Sequence, residues 1–162
     1  MTSPDGKAVT QSVAVILAEI FDGAKPEVGW LLNPGDIGML RFLDSLSARE
    51  ASAVPQGGTS SIASHVAHLC FALELLNRAS HGESPFNDAA WNAAWRETTV
   101  SDVTWDRLRE QLRAESRKWR ERFSHLVDSG ESQLTDVMAS TAHLAYHFGA
   151  IRQIQRAVGP LA

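Results

Sequence analysis

The clearest helical pattern in the chain lies in residues 59–79, Thr-Ser-Ser-Ile-Ala-Ser-His-Val-Ala-His-Leu-Cys-Phe-Ala-Leu-Glu-Leu-Leu-Asn-Arg-Ala. Its apolar side chains recur at steps of four and three, the spacing of one helix face; they are Ile62, Val66, Leu69, Leu73 and Leu76. The hydroxyls of Thr59, Ser60 and Ser61 can cap the free amides of the first turn. The segment therefore predicts a long helix with one buried face.

Three further segments show the same spacing and predict the other main helices of a bundle. The segment of about residues 7–22 has the apolar face Val9, Val13, Ile16 and Ile20. The segment of about residues 101–126 has Trp105, Leu108, Leu112, Trp119, Phe123 and Leu126. The segment of about residues 133–158 has Val137, Leu144, Phe148, Ile151 and Val158. Arginines and glutamates fill the rest of the helix of about residues 101–126, which predicts a solvated outer face for that helix.

The remaining segments predict a short helix and an ordered connection. Residues 36–49 bury Met39, Leu40, Leu43 and Leu46 in a shorter helix, while 81–100 combines Gly and Pro breaks with Phe86, Trp91 and Trp95. Such a long aromatic connection is typical of a packed crossover. We expect an all-α domain over residues 1–162, with four main helices, one short extra helix and a long ordered crossover.

Composition narrows the possible functions. The 162 residues carry 15 Lys+Arg against 19 Asp+Glu, a formal net charge of −4 with no basic block, which argues against nucleic-acid binding. The single cysteine, Cys70, excludes an intrachain disulfide. A basic-then-apolar leader and a run of about 18 apolar residues are both missing from the sequence, so no membrane association and a cytoplasmic location are expected.

Histidines supply the chemistry that stands out. His143 and His147 lie four apart in the last helix, and His65 and His68 lie three apart in the helix of residues 59–79. Each pair occupies one helix face, so two facing helices can offer three imidazole nitrogens and leave a fourth metal position open. Helix periodicity alone slightly favours His65 over His68 as the inward residue. Imidazole ligands suit Zn, Ni, Fe or Cu, and ordinary surface or core histidines are the alternative.

The segments Ile62-Ala-Ser-His-Val-Ala-His68-Leu69 and Ala142-His-Leu-Ala-Tyr-His147-Phe-Gly-Ala-Ile151 resemble the DinB-like (YfiT-like) metal-dependent superfamily. That resemblance implies an up-down-down-up four-helix bundle and a divalent metal, commonly nickel or zinc, on His68, His143 and His147. His65 would then contact a metal-bound histidine or face the substrate. Many relatives have Gly-Gln-Ile after the last ligand, whereas this chain has Gly149-Ala150-Ile151, so a role for that glutamine does not carry over.

The resemblance also implies chemistry and partners. Some members of the superfamily are S-transferases or isomerases that use a low-molecular-weight thiol, and members often form homodimers. An enzyme acting on a small molecule, with the metal activating a thiol or water, is therefore the first hypothesis. A non-catalytic bundle that binds a metal or ligand as a sensor or scaffold is the second.

Two charged residues and two aromatic ones are further candidates. Glu115 falls on the apolar face of its helix, where a carboxylate could orient a metal-bound histidine or act as a base. Arg152 follows the His pair by about one turn and could bind an anionic substrate, although pairing with a nearby acid is the alternative. Trp91 or Trp95 could roof a pocket.

Overall fold

The computed structural model describes residues 6–96, 98–124 and 131–159. Within these ranges the backbone is helical or irregular, without a β-strand, and the prediction of an all-α fold is confirmed. The helices are α1 (Gly6–Asp22), α2 (Met39–Asp44), α3 (Ala48–Ser52), α4 (Ile62–Ala79), α5 (Trp91–Ala94), α6 (Asp102–Ser124) and α7 (Glu131–Val158). None of the described helices is both long enough and apolar enough to cross a membrane.

Helix α4 forms the centre of the fold, as its apolar periodicity predicts. Ser61 is its N-cap, where the Ser61 hydroxyl accepts from the Ser64 amide and the Ser64 hydroxyl accepts from the Ser61 amide. This reciprocal cap satisfies two donors that the first turn would otherwise leave free. All five predicted apolar positions face inward, and four of them, Ile62, Val66, Leu69 and Leu73, are no more than 1% exposed.

The other long helices pack around α4 in a bundle. Helix α4 contacts α6 and α7, and α1 contacts the same two helices. Cys70 Sγ donates to the Leu108 carbonyl and Asn77 donates to the Glu115 carbonyl, so α4 and α6 run parallel. Helix α7 contributes Val137, Leu144, Phe148 and Ile151 to the core as predicted, whereas the side chains of Phe123 and Leu126 lie outside the described residues.

The predicted short helix over 36–49 was wrong in its bounds, because the structure has two shorter helices there. Helix α2 ends at Asp44, and Ser47 starts α3 with a capping box in which its side chain and that of Glu50 bond each other's backbone amides. The Leu46 carbonyl between them accepts from Trp105 Nε1 at 2.8 Å. The Ser47 cap and the bond from Trp105 thus engage backbone groups that a continuous helix would use, so the helix does not run through residues 45–47.

The start of this segment is set by two glycines that approach each other closely. Gly23 has φ +111°, and the backbones of Gly23 and Ile37 pair as an isolated bridge. A Cβ on Gly38 would lie 2.5 Å from the Phe21 carbonyl oxygen. Residues 36–38 therefore pack against the end of α1 in an extended form and cannot begin a helix.

We expect Gly38→Ala to lower the free energy of unfolding by about 2 to 4 kcal/mol, since the new methyl would force backbone apart in a packed region. Gly149→Ala is the matched control, because a Cβ there meets nothing within 4 Å and the residue sits inside α7. This control should be stabilising by about 0.5–1 kcal/mol through its helix propensity. Urea denaturation of both variants checks the pair, and equal stabilities would contradict the close approach.

Candidate metal centre

Helices α4 and α7 bring three histidines together. They run antiparallel, so that His68 of α4 faces His143 of α7, and a ligand atom from each of His68, His143 and His147 lies within 4.8 Å of the other two. His68 is 6% exposed and His147 is 3% exposed, while His143 is partly exposed. These are the three residues that the family resemblance implies as ligands.

The ring nitrogens of this cluster point at one another. His143 Nε2 lies 3.1 Å from His68 Nε2 and 2.9 Å from His147 Nε2. A neutral imidazole has one N–H and one lone pair, so a proton on His143 Nε2 can be directed at only one of its two neighbours. A tetrahedral ion with metal–nitrogen bonds of about 2.0 to 2.1 Å would hold such nitrogens about 3.3 Å apart. Two of the three separations are within a few tenths of an ångström of that value, and all three ligand atoms lie within 4.8 Å of one another, so the residues fit a cation.

Burial keeps the histidines of the cluster neutral. Burial, together with the nearby His143 and His65, lowers the pKa of His68 to about 4. Burial and the neighbouring His143, His68 and His65 lower the pKa of His147 to about 3, and burial also lowers the pKa of His143. At neutral pH the three rings consequently offer lone pairs without a competing proton, as metal ligation requires.

His65 lies behind the cluster rather than in it. Its Nδ1 is 2.8 Å from His147 Nδ1, and its Nε2 is 3.2 Å from the Ser60 hydroxyl. If His147 directs its Nε2 lone pair into the cluster, its Nδ1 carries the proton and donates to His65 Nδ1. His65 must then be protonated on Nε2 and donate to Ser60. This hydrogen-bonded chain sets one tautomer for each ring, the usual role of groups behind a metal-bound histidine.

Aromatic side chains of the crossover cover one side of the cluster. The Trp95 ring stacks on His68 with centroids 4.6 Å apart and meets the His65 ring edge-on at 5.1 Å. Trp91 lies 5.8 Å from His68 and packs against Phe71 and Phe86. On another side, a cavity of about 660 Å³ begins at His68 and His143. The cluster is thus sheltered by Trp95 and still borders an open space.

Two of the sequence candidates lie away from the cluster. Glu115 accepts from Asn77 Nδ2 and from Lys118 Nζ, both at 2.7 Å. Asn77 is nine residues beyond His68 in the same helix, about 13 Å along the axis. Arg152 donates to Asp36 at 3.1 Å and lies over the Phe148 ring. The structure brings neither residue to the histidine cluster: Glu115 is bonded to Asn77 and Lys118, and Arg152 is paired with Asp36, as the alternative interpretation of Arg152 predicts.

Sequence reasoning considered Ser60 only as a helix cap, although the structure gives that role to Ser61 and hydrogen-bonds Ser60 to His65. Ser60 precedes the helix, so helical periodicity could not relate it to His65. The sequence pattern also indicated Trp119 only as a core residue, whereas Trp119 lines the cavity that begins at the cluster. Periodicity carries no signal of that role, because it places Trp119 on a helix face without showing where neighbouring helices leave a space.

Comparison with known families agrees with this geometry. The family model described as DinB superfamily matches residues 38–151, which include α4, α6 and all four histidines discussed above. Searches among curated proteins and solved structures gave no match. The match spans more than half of the 162 residues, and the chain belongs to the DinB superfamily.

Proposed function

We propose that the protein is a metal-dependent enzyme that holds a divalent ion, nickel or zinc, on His68, His143 and His147. The observation that carries this proposal is the convergence of three neutral Nε2 atoms at the edge of a cavity. Three protein ligands with an open fourth position are typical of catalytic rather than structural sites. The fourth position would take water or a low-molecular-weight thiol.

The bound ion would lower the pKa of that thiol or water and so supply a nucleophile near neutral pH. The chain's own residues would orient the site: His65 holds the tautomer of His147, and Trp95 keeps solvent from the buried side of His68. S-transfer to an electrophile in the cavity is the chemistry we favour, by analogy with the superfamily.

The thiol in this proposal comes from solution and not from the chain. Cys70 is 2% exposed and its Sγ donates to the Leu108 carbonyl. Burial, helped by the Glu115 and Glu74 carboxylates, raises the pKa of Cys70 to about 12. A thiol so resistant to ionisation is a poor nucleophile.

A non-catalytic bundle is the second candidate, and the stacking of Trp95 on His68 is the observation that favours it. In a sensor or scaffold the ion would be covered by side chains and would exchange no ligand. Access of a solution thiol to the ion separates the two candidates.

The test uses purified protein loaded with Co²⁺ as a spectroscopic stand-in for zinc or nickel. We expect one equivalent of Co²⁺, and a new sulfur-to-cobalt charge-transfer band when a small thiol such as cysteamine is added. A thiol bound in this way should then be consumed on adding an alkyl or aryl electrophile. One equivalent of Co²⁺ with no spectral response to thiol would favour the non-catalytic bundle. No metal uptake would overturn the metal enzyme and leave only a bundle that binds a ligand other than a metal.

The hydrogen bond behind His147 leads to a separate prediction. We expect His65→Ala to weaken metal binding about 10- to 100-fold while one equivalent still binds, because His147 loses the group that sets its tautomer. His65→Gln offers an amide oxygen to His147 Nδ1 and should recover most of the affinity. A chelator competition titration measures both variants. The matched control is His81→Ala, an exposed position in the turn after α4 whose Nδ1 contacts the Asn77 carbonyl at the end of that helix.

Other expectations from the sequence stay predictions. They are the single domain over residues 1–162, the small-molecule substrate, the absence of nucleic-acid and membrane partners, the cytoplasmic location and the homodimer. Size-exclusion chromatography with light scattering checks the homodimer directly.

A further inference from the structure

The cavity beside the histidines has the size of a small-molecule site. Its volume is about 660 Å³, within the range of about 300 to 1,000 Å³ that ligand pockets occupy. Its wall is formed by α4, α6, α7 and the crossover, and most of its lining is apolar, including Ala72, Leu76, Phe86, Trp91 and Val137. Pockets of this kind bind largely apolar molecules and use a few polar groups to orient them.

Polar groups line both ends of the cavity and also its α7 side. Because α4 is antiparallel to α7 and parallel to α6, His68 and His143 share one end. Ser80, Trp119 and Arg122 lie toward the other end, and Ser140 and Asp136 line the cavity about one and two turns before His143 in α7. His68 and Ser80 are twelve residues apart, which is about 18 Å along a helix axis. The cavity is therefore elongated, with the histidines at one end only.

The indole ring of Trp119 closes the far end. Trp119 is 3% exposed, and its Nε1 has almost no accessible surface, so a molecule in the cavity meets the ring and not the N–H.

We propose that this cavity binds an elongated, largely apolar molecule. Its apolar body lies along Leu76 and Val137, its far end packs against the Trp119 ring, and the opposite end reaches His68 and His143. The inference rests on the proposed function only in making this molecule the substrate, since the binding itself requires no metal.

A chain-length series tests the shape of the site. Calorimetry on metal-free protein would compare 2-alkanones from butanone to tridecanone, a series with one constant carbonyl. We expect affinity to rise about fourfold for each added CH₂, the effect of burying one methylene. The rise should stop when the molecule fills the cavity. Affinity that is independent of chain length would overturn the proposal.

Two adjacent residues of α7 provide a blocking variant and its control. Ala139 lines the cavity, whereas Met138 is 53% exposed and is not part of the lining. Both positions tolerate bulk in the fold, since Ala139 is itself exposed. Ala139→Trp should lower the affinity for 2-decanone at least tenfold, and Met138→Trp should leave it unchanged. Equal affinities in the two variants would show that the ketone binds elsewhere.

Metal uptake measured on the same variants separates this inference from the proposed function. Ala139→Trp should bind Co²⁺ like the wild type, because its side chain is not a ligand. Ketone binding without metal uptake would support the cavity and overturn the metal enzyme. Metal-dependent thiol chemistry without chain-length-dependent ketone binding would support the metal enzyme and overturn the proposed ligand of the cavity.

Discussion

Replacing His147 with alanine is expected to weaken zinc or nickel binding by more than about 100-fold. Loss of a residue behind a metal ligand costs about 10- to 100-fold, and removal of the ligand itself should cost more. His147 is 3% exposed, and its Nε2 lies 2.9 Å from His143 Nε2, inside the cluster that would hold the ion. His68→Ala and His143→Ala should behave alike.

Thermal unfolding with and without metal gives an independent readout. A ligand at about 1,000 times its Kd stabilises the folded state by about 4 kcal/mol, whereas a 100-fold weaker site under the same conditions gives about 1.4 kcal/mol. For a domain of this size the wild-type melting temperature should rise by about 10 °C on metal addition, and the rise should be much smaller in the three variants. His81→Ala should match the wild type.

Two outcomes would contradict this arrangement. Stoichiometric metal in all three variants would exclude the cluster as the site. Loss of metal in His65→Ala with retention in His68→Ala would make His65 the ligand, as the helix periodicity alone slightly favours.

Replacing Glu19 with alanine should lower the free energy of unfolding by about 3 kcal/mol or more. Glu19 is 5% exposed, and its carboxylate accepts from the backbone amides of Trp30, Leu31 and Leu32. Alanine would leave these three donors without their partner, and a hydrogen bond to a charged group contributes about 1.5 to 3 kcal/mol. Urea denaturation at pH 7 measures the change.

The pH dependence of stability shows whether the charge of Glu19, rather than the shape of its side chain, stabilises the fold. Burial alone would raise the pKa of Glu19, but the amides of Leu32, Trp30 and Leu31 outweigh it and lower the pKa below its ordinary value of 4.5. The unfolded chain therefore takes up this proton first, and the contribution to stability, full above pH 4.5, is lost as the pH falls. Glu19→Gln should lack this loss, so its stability should fall less steeply than that of the wild type between about pH 5 and 3. Parallel curves would contradict the role of the charge.

The sequence predicted the long helices well and the intervening chain poorly. Periodicity located α4 and α7 because a helix face is a local property, readable from residues three and four apart. It failed at residues 36–49, where Trp105 binds the Leu46 carbonyl from another helix and Gly38 packs on the end of α1. It missed Glu19 altogether, since the three amides that it binds lie 11 to 13 residues further along, in an irregular loop.

The candidate site, too, has features that the sequence predicts and features that depend on the packing of the helices. The sequence by itself determined that four histidines lie in two pairs on two long helices, and the family resemblance selected three of them. Periodicity slightly favoured His65 over His68, whereas the structure buries both to the same extent, 6% exposed, and places His68 in the cluster. That choice depends on how α4 faces α7, where nitrogens from residues 75 and 82 positions apart come within 3.1 and 2.8 Å.

Only the tertiary structure decided which ring enters the cluster and which lies behind it. The same packing placed Glu115 with Asn77 and Lys118, paired Arg152 with Asp36, and left a cavity beside His68 and His143. The physical reason is that helix formation is specified by neighbouring residues, whereas a metal site and a cavity are specified by the relative position of separate helices.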